Sequence, residues 1–345
     1  MNRMHVQEIV DSTRMFVNKI IFSYLKPNIL DLITNDSVIQ NKIEQIFNLF
    51  ENPFESLDTE FKRFKYFKEQ DTLIEPESYV IGQQNIGKKI GSNYTIVPPN
   101  VTGQYISVKS VIQKLFALPG FLQQILNYMR NLSMESNGIS NIIQAQLFKK
   151  LQEKYPNRII IPLIFYYDEF EVNDPLGSRT GTHKIGAVYY SLPCIPPHAQ
   201  SHLLNIQIAL LFNSSDRKEF GNRKIFLPLI KELKFLHTHP VYTTKDNIDV
   251  YVNCSLFVAD NLGRHEIGGF VQSFSANSPC SVCKISRNEL LSATYEKPEL
   301  LRNIENYKLD VENNDVTTTG INEECVFNEI EDFHILESNW THFGS

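Results

Sequence analysis

The chain has 345 residues, of which 42% are hydrophobic and 11% aromatic, and this composition excludes a disordered protein. The net charge of −6 is unevenly placed: residues 286–345 carry 13 acids and 4 bases, and the rest carries 26 acids and 29 bases. Charge alone therefore neither favours nor excludes DNA binding. No apolar run approaches the ~18 residues of a membrane helix, and the first residues do not resemble a secretory signal, so we expect neither a membrane nor a secreted protein.

Residues 1–150 are predicted to form a mostly helical region, because apolar residues recur there at helical spacing. Between residues 71 and 105, several prolines and glycines predict loops and a small hairpin. In Phe61–Lys68, bases alternate with aromatic residues. This pattern predicts an amphipathic element with buried aromatic rings and solvated lysines, and contact with DNA is the alternative.

From residue 155 the pattern becomes that of strands. Continuous apolar runs predict three consecutive strands at Ile159–Tyr167, Lys184–Leu192 and Leu204–Phe212. An apolar helix face follows from Ile225 to Leu236, with Pro228 expected in the first turn of that helix.

The run Ser255–Ala259 predicts a fourth strand, and a further helix is expected to begin near Glu266. Three strands, a crossover helix and another strand match a ribonuclease H-like core, in which the first and fourth strands pair in parallel. The predicted fold class is thus α+β or α/β. We expect a helical region at 1–150, a ribonuclease H-like core at 155–275, and a cysteine-containing insertion with an acidic tail at 276–345.

Two aspartates, Asp168 and Asp260, follow the first and fourth predicted strands. Neighbouring strand ends would let both carboxylates reach one divalent cation, and Mg²⁺ (or Mn²⁺) prefers such oxygen ligands. Paired cations of this kind cleave phosphodiesters. The alternative is that both aspartates simply end strands. Glu169 is expected on the opposite face from Asp168, and His183 and Asp216–Glu219 are expected to be structural, the latter as a self-compensating charged turn.

A second constellation is the pair Cys280 and Cys283, whose spacing is typical of one half of a tetrahedral Zn²⁺ site. Cys325 and His334 lie downstream and would complete the set. The alternatives are a redox pair or two unrelated cysteines. Cys194 and Cys254 are predicted to be core residues, and five unevenly spread cysteines favour a reducing compartment.

Several segments resemble the transposase-like open reading frames of animal CACTA (EnSpm-type) DNA transposons. The similar segments are Phe165–Glu171, Asn173–Ser178, His183–Tyr189, Leu210–Lys218, Asp260–Gly263 and Gly269–Phe274, followed by Cys280 and Cys283. The resemblance extends from Phe50 to Glu337. It implies a DDE/D catalytic domain with a ribonuclease H-like core, in which Asp168 and Asp260 match the first two catalytic acids and the cysteines match an insertion.

The resemblance stops at the end of the sequence. The family continues beyond the equivalent of Glu337, and the third catalytic acid is expected in that part. Other acids lie too close to Asp260 to substitute for it, namely Glu323, Glu324, Glu331, Asp332 and Glu337. We therefore expect a degraded copy, a partial gene or a host gene derived from a remnant, without an amino-terminal DNA-reading module and catalytically incomplete alone.

The sequence thus predicts a transposase-derived nuclear protein that acts on transposon-end DNA with Mg²⁺, with self-association as an option and without a small-molecule cofactor. The rival interpretation is a non-catalytic, zinc-bearing protein that binds DNA or another protein. A weaker third option is a cellular ribonuclease H-like nuclease, which would prefer RNA–DNA hybrids.

Overall fold

A computed structural model describes residues 3–32, 37–50, 54–55, 57–84, 86–90, 93–135, 138–172, 184–200, 202–242 and 248–337. The chain divides into two compact units, Met1–Ile74 and Glu75–Ser345. Asn173–Ser178, His183 and Asn339–Ser345, all discussed above, lie outside the described residues. Within the described ranges, no helix combines the length and the apolar character that crossing a membrane requires.

The first unit is helical. Its α-helices are α1 (Arg3–Val17), α2 (Lys26–Asp31), α3 (Ser37–Phe50) and α4 (Glu60–Glu69), with a π-helix at Asn18–Leu25. α4 begins after Thr59, whose side chain accepts a hydrogen bond from the backbone N–H of Lys62. The prediction that its aromatic rings are buried is wrong, since Phe61 is 77% and Phe64 49% exposed. The aromatic residues surround the helix, so no single face could bury them all.

The second unit has mixed α and β structure, as predicted. Its strands are β1 (Glu77–Gln83), β2 (Ile86–Ile90), β3 (Asn93–Val97), β4 (Asn100–Tyr105), β5 (Ile159–Glu171), β6 (Lys184–Ser191), β7 (Ile206–Asn213), β8 (Val241–Tyr242) and β9 (Asp249–Ala259). Seven of them form one sheet in the order β1-β4-β7-β6-β5-β9-β8, and β2 and β3 form a separate hairpin.

The helices of this unit lie between and after the strands. They are α5 (Val108–Ala117), α6 (Phe121–Met134), α7 (Gln146–Lys154), α8 (Pro197–Gln200), α9 (Ser214–Phe220), α10 (Asn222–Thr238), α11 (Asn261–Gly268), α12 (Arg287–Leu290), α13 (Ile304–Asn313) and α14 (Val316–Thr319).

The predicted strand order is confirmed in the centre of the sheet. β6 pairs antiparallel with both β5 and β7. α9 and α10 follow β7 along the chain, and β9 then pairs parallel with β5. The long apolar runs of β5 and β9 are buried along most of their length, as expected for strands covered on both faces. The sequence patterns did not predict that β1 and β4 extend the sheet beyond β7.

Two helix boundaries differ from the prediction. α10 begins at Asn222, so Pro228 lies inside the helix rather than in its first turn. α11 begins at Asn261 rather than near Glu266, because Asp260 caps its first turn. α11 ends where Gly269 adopts a left-handed conformation with φ of 73°, which favours glycine.

An aromatic core lies between the sheet and α10. Phe226 of α10 packs against Phe212 of β7 at 5.7 Å between ring centroids and against Phe327 at 5.2 Å. Phe327 also contacts Phe257 of β9 at 4.7 Å. The core therefore holds α10 against β7 and against β9, the strand that ends directly before Asp260. Cys194 and Cys254 are buried, which confirms their assignment to the core.

The side chain of Glu232 in α10 caps the start of α5. It accepts hydrogen bonds from the Ser107 hydroxyl at 2.6 Å and from the Val108 N–H at 2.7 Å, and it also contacts the Tyr105 hydroxyl. Burial raises the pKa of Glu232 to about 7.

This raised pKa predicts that stability falls with rising pH. An unfolded glutamate titrates near pH ~4.3, so the stabilisation is complete below that value and is lost as the pH rises through about 7. Urea unfolding from about pH 4 to pH 8, in steps of roughly one pH unit, measures how the free energy of unfolding changes with pH. Glu232→Gln cannot ionise and should lose this part of the slope; a variant with an unchanged slope would contradict the assignment.

Candidate metal centre at two strand ends

The parallel ladder of β5 and β9 ends directly before the two aspartates. Its last pair is Tyr167 with Ala259, and the next residues on the two strands are Asp168 and Asp260. Neighbouring strands lie about 4.8 Å apart, so continuing this register would bring the backbones of the two aspartates side by side. Both residues are exposed. β5 itself continues to Glu171, so Asp168 lies at the end of the parallel ladder rather than at the end of its strand.

Asp260 has a structural role as well. Its Oδ1 accepts a hydrogen bond of 2.6 Å from the N–H of Gly263 and so caps α11. A Cβ at Gly263 would lie 3.0 Å from Asp260 Oδ1 and 3.0 Å from the Tyr167 ring, so glycine provides the space for this cap. No hydrogen bond reaches Oδ2 of Asp260 from the described residues, and this oxygen can bind a cation.

A buried ionic network lies next to this end of the β5–β9 ladder. Arg217 of α9 lies 2.6 Å from Glu266 and 3.7 Å from Glu169, and the Tyr167 hydroxyl donates to Glu169 at 2.7 Å. Glu169 therefore lies on the Tyr167 face, opposite Asp168 in the alternation of the strand, as predicted. The prediction that Asp216–Glu219 is a self-compensating charged turn is wrong. These residues belong to α9, and the buried Arg217 pairs with Glu169 and Glu266 instead of with its sequence neighbours.

The Arg217–Glu266 contact is a close, buried ion pair. Nη2 of Arg217 lies 2.6 Å from the Glu266 carboxylate, and Nε of Arg217 has no hydrogen-bond partner among the described residues. Burial raises the pKa of Glu266, and the guanidinium of Arg217 opposes that shift. The network holds the start of α9 against α11, the helix that Asp260 caps.

The structure brings no third ligand to the two aspartates within its described ranges. There, a single group of three or more histidine, cysteine or acidic side chains has all its ligand atoms within 4.8 Å, and it comprises His237, Glu331 and Asp332. Glu323 instead accepts a hydrogen bond of 2.7 Å from Asn222. Glu324 and Glu337 line a different cavity.

The ligand atoms of His237, Glu331 and Asp332 already contact donor groups of the protein. The Tyr155 hydroxyl lies 3.1 Å from Glu331, 3.0 Å from Asp332 and 3.4 Å from Nε2 of His237. The ammonium of Lys154 lies 3.1 Å from Glu331 and 2.7 Å from Asp332. A cation would have to displace both donors, so we interpret this group as a contact that fastens the end of α7 to residues 331–332.

The two cysteines predicted to bind zinc lie close together. Both are partly exposed, and the Cys280 thiol accepts a hydrogen bond of 3.4 Å from the N–H of Val282 between them. Burial is the main factor that raises the pKa of the Cys283 thiol, and Cys280 adds to the shift. Arg302 holds their loop by donating to the Cys280 carbonyl at 3.2 Å.

The other two predicted zinc ligands lie in different surroundings. Cys325 is buried and lies near Cys254, and its backbone N–H donates to the Tyr307 hydroxyl. The His334 ring packs edge-on against Tyr307 at 5.2 Å. In the described ranges, neither residue joins the cysteine pair in a group of ligand atoms within 4.8 Å. The four-ligand zinc site stays a prediction.

A cavity of about 440 Å³ lies apart from both aspartates. Its walls include Phe148 and Leu151 of α7, and Asn253 and Ser255 of β9. The buried Asn253 Nδ2 has no hydrogen-bond partner among the described residues. The cavity has both apolar and polar walls, and neither Asp168 nor Asp260 lines it.

Neither a protein-family model nor a curated protein matches this chain. A functional interpretation therefore depends on the geometry of the two strand ends and on the resemblance of the segments described above.

Proposed function

We propose that the second unit is a transposase-derived, ribonuclease H-like domain for metal-dependent cleavage and transfer of DNA strands. The observation that carries the proposal is the parallel pairing of β5 with β9, which ends at Asp168 and Asp260. The order β7-β6-β5-β9, with a helical crossover before β9, agrees with such a core. The resemblance to CACTA transposases supplies the substrate, DNA at transposon ends, and the nucleus as the site of action.

The chemistry follows from the two side chains. A bound Mg²⁺ or Mn²⁺ would activate the attacking oxygen and neutralise the leaving one. Asp168 and Asp260 would hold the cation at the exposed edge of the sheet, where a phosphate can approach. The cap that Asp260 makes to Gly263 fixes the rotamer of this carboxylate. A third acid is part of the proposed mechanism, and none of the described acids is assigned to it.

The proposed function predicts that DNA and metal bind cooperatively. A phosphate oxygen completes the coordination of the cation, so a DNA duplex should raise the affinity for Mn²⁺, and Mn²⁺ should raise the affinity for DNA by the same factor. Calorimetric Mn²⁺ titration with and without duplex measures this coupling, which should disappear in Asp168→Asn. Independent binding of metal and DNA would contradict the proposal. DNA cleavage that depends on Asp260 would show that the described acids suffice.

The alternative function is a zinc-bearing protein that binds DNA or another protein without cleaving it. The observation that favours it is the closeness of Cys280 and Cys283 on a loop held by Arg302. Purified protein should then contain zinc by elemental analysis, and Cys283→Ser should lower the zinc content, because a coordinating thiolate is lost. Cys194→Ser, which changes a buried cysteine elsewhere, is the control. Equal zinc in the wild type and in Cys283→Ser would end this proposal.

A further inference from the structure

One face of α4 exposes aromatic and basic side chains together. Phe61, Phe64, Lys65 and Lys68 follow the i, i+3, i+4, i+7 spacing and therefore lie on one side of the helix. Phe61 is 77% and Phe64 49% exposed, and the side chain of Lys65 is 65% exposed. Phe61 and Phe64 are therefore neighbouring exposed rings on one face of the helix and not a single scattered residue.

The opposite side of α4 is fixed within the first unit. Arg63 donates to the Leu57 carbonyl at 2.9 Å and to the side chain of Gln7 in α1 at 3.2 Å. Lys62 pairs with Asp58 at 3.0 Å and donates to the Glu55 carbonyl at 2.8 Å. These contacts hold the helix in place.

From this arrangement we infer that the face formed by Phe61, Phe64, Lys65 and Lys68 binds single-stranded DNA. Exposed aromatic rings stack on unpaired bases of any sequence, and neighbouring lysines contact the phosphates. Lysines beside the rings distinguish this face from a purely apolar docking surface, because they complement a polyanion. The inference rests on the proposed function, since strand cleavage and transfer expose single strands.

Lys65 has a weak partner within the helix. It lies 3.9 Å from Glu69, and both side chains are well exposed. Such exposed pairs contribute little to stability and are screened by salt. A DNA phosphate can therefore replace Glu69 as the partner of Lys65 at low cost.

The test is fluorescence anisotropy of a labelled single-stranded oligothymidylate with the full chain. EDTA keeps divalent cations out, so the aspartate site plays no part. Phe61→Ala/Phe64→Ala should weaken binding at least fivefold, because stacking on two bases is lost. Lys65→Gln/Lys68→Gln should lower the slope of log affinity against log salt by about 1.4, or ~0.7 for each phosphate contact.

A matched control is Phe16→Ala/Lys19→Gln, which removes an exposed aromatic residue and a lysine elsewhere in the same unit. It should leave DNA binding unchanged. Circular dichroism verifies that each variant keeps its helices. Failure of the wild type to bind oligothymidylate, or equal weakening by the control, would overturn the inference. An effect of the phenylalanines without any salt dependence would also overturn it, in favour of an apolar protein partner.

The two proposals fail in different ways. If the α4 variants bind like the wild type while DNA still strengthens Mn²⁺ binding through Asp168, the α4 face is wrong and the proposed function stands. If the α4 variants lose DNA while Mn²⁺ and DNA bind independently, the metal function is wrong and the DNA-binding face stands.

Discussion

Asp260→Asn is expected to weaken Mn²⁺ binding at least tenfold, or ~1.4 kcal/mol, without unfolding the protein. The substitution removes one of two anionic ligands from the proposed site. Asparagine caps helices about as well as aspartate, so the contact to Gly263 that starts α11 is preserved. Asp260→Ala would lose the cap as well and is the poorer test. Mn²⁺ binding can be followed by electron paramagnetic resonance of the free ion.

The matched control for this prediction is Asp249→Asn. Asp249 is an exposed carboxylate on the same strand as the site, at the opposite end of β9. The Asp249→Asn variant should bind Mn²⁺ like the wild type, because the charge of Asp249 lies a strand's length from the proposed site and is screened by salt. Equal losses in Asp249→Asn and Asp260→Asn would mean that Mn²⁺ responds only to net charge, which would contradict a built site.

Arg217→Met is expected to lower the free energy of unfolding by about 3–5 kcal/mol, because breaking a buried ion pair leaves an uncompensated charge. The side chains of Arg217 and Glu266 are 4% and 5% exposed, so water cannot replace the lost partner. Glu169 loses a neighbouring cation as well. Urea unfolding of the wild type and the variant measures the difference.

The double variant Arg217→Met/Glu266→Leu distinguishes the loss of the ion pair from the loss of packing. Replacing both partners with apolar side chains of similar size removes the buried charge, so part of the lost stability should return. Arg223→Met is the control. The side chain of Arg223 is exposed and pairs with Glu329, so this substitution should lower the free energy of unfolding by less than about 1 kcal/mol. A double variant that is as unstable as Arg217→Met would contradict this account of the network.

The central strands could be predicted because their signal is local. Each of the two strands contains an apolar run, Ile159–Tyr167 in β5 and Ser255–Ala259 in β9, and an acid comes directly after each run. The chain order of strands and crossover helix then predicted the parallel pairing, since such crossovers have few alternatives. The proposed adjacency of Asp168 and Asp260 depends on that pairing and on the register, not on either segment alone.

The parts that the sequence did not predict depend on contacts between distant segments. β4 joins the sheet through only two residue pairs with β7, Gln104 with Leu211 and Tyr105 with Leu210. Nothing in the composition of residues 71–105 predicts those partners. Arg217 belongs to the run Asp216–Glu219, whose two acids and two bases favour a self-compensating turn, and its burial depends on Glu266, which lies 49 positions further along.

The helix boundaries are a third feature that the sequence predicted only in part. The apolar spacing of α10 begins at Ile225, but the helix begins at Asn222, because the polar residues of its first turn carry no periodic signal. For α11, the sequence pattern predicts a start near Glu266, but the helix begins at Asn261. The signal for this start is Asp260, since aspartate is a preferred N-cap.

Mn²⁺ affinity in a double-mutant cycle of Asp168→Asn and Asp260→Asn measures most directly whether the two carboxylates hold one cation. If they do, the single variants lose most of the binding and the double variant loses little more, so the two effects are strongly non-additive. If each carboxylate attracts its own ion, the two losses add, and the shared metal centre at the ends of β5 and β9 does not exist.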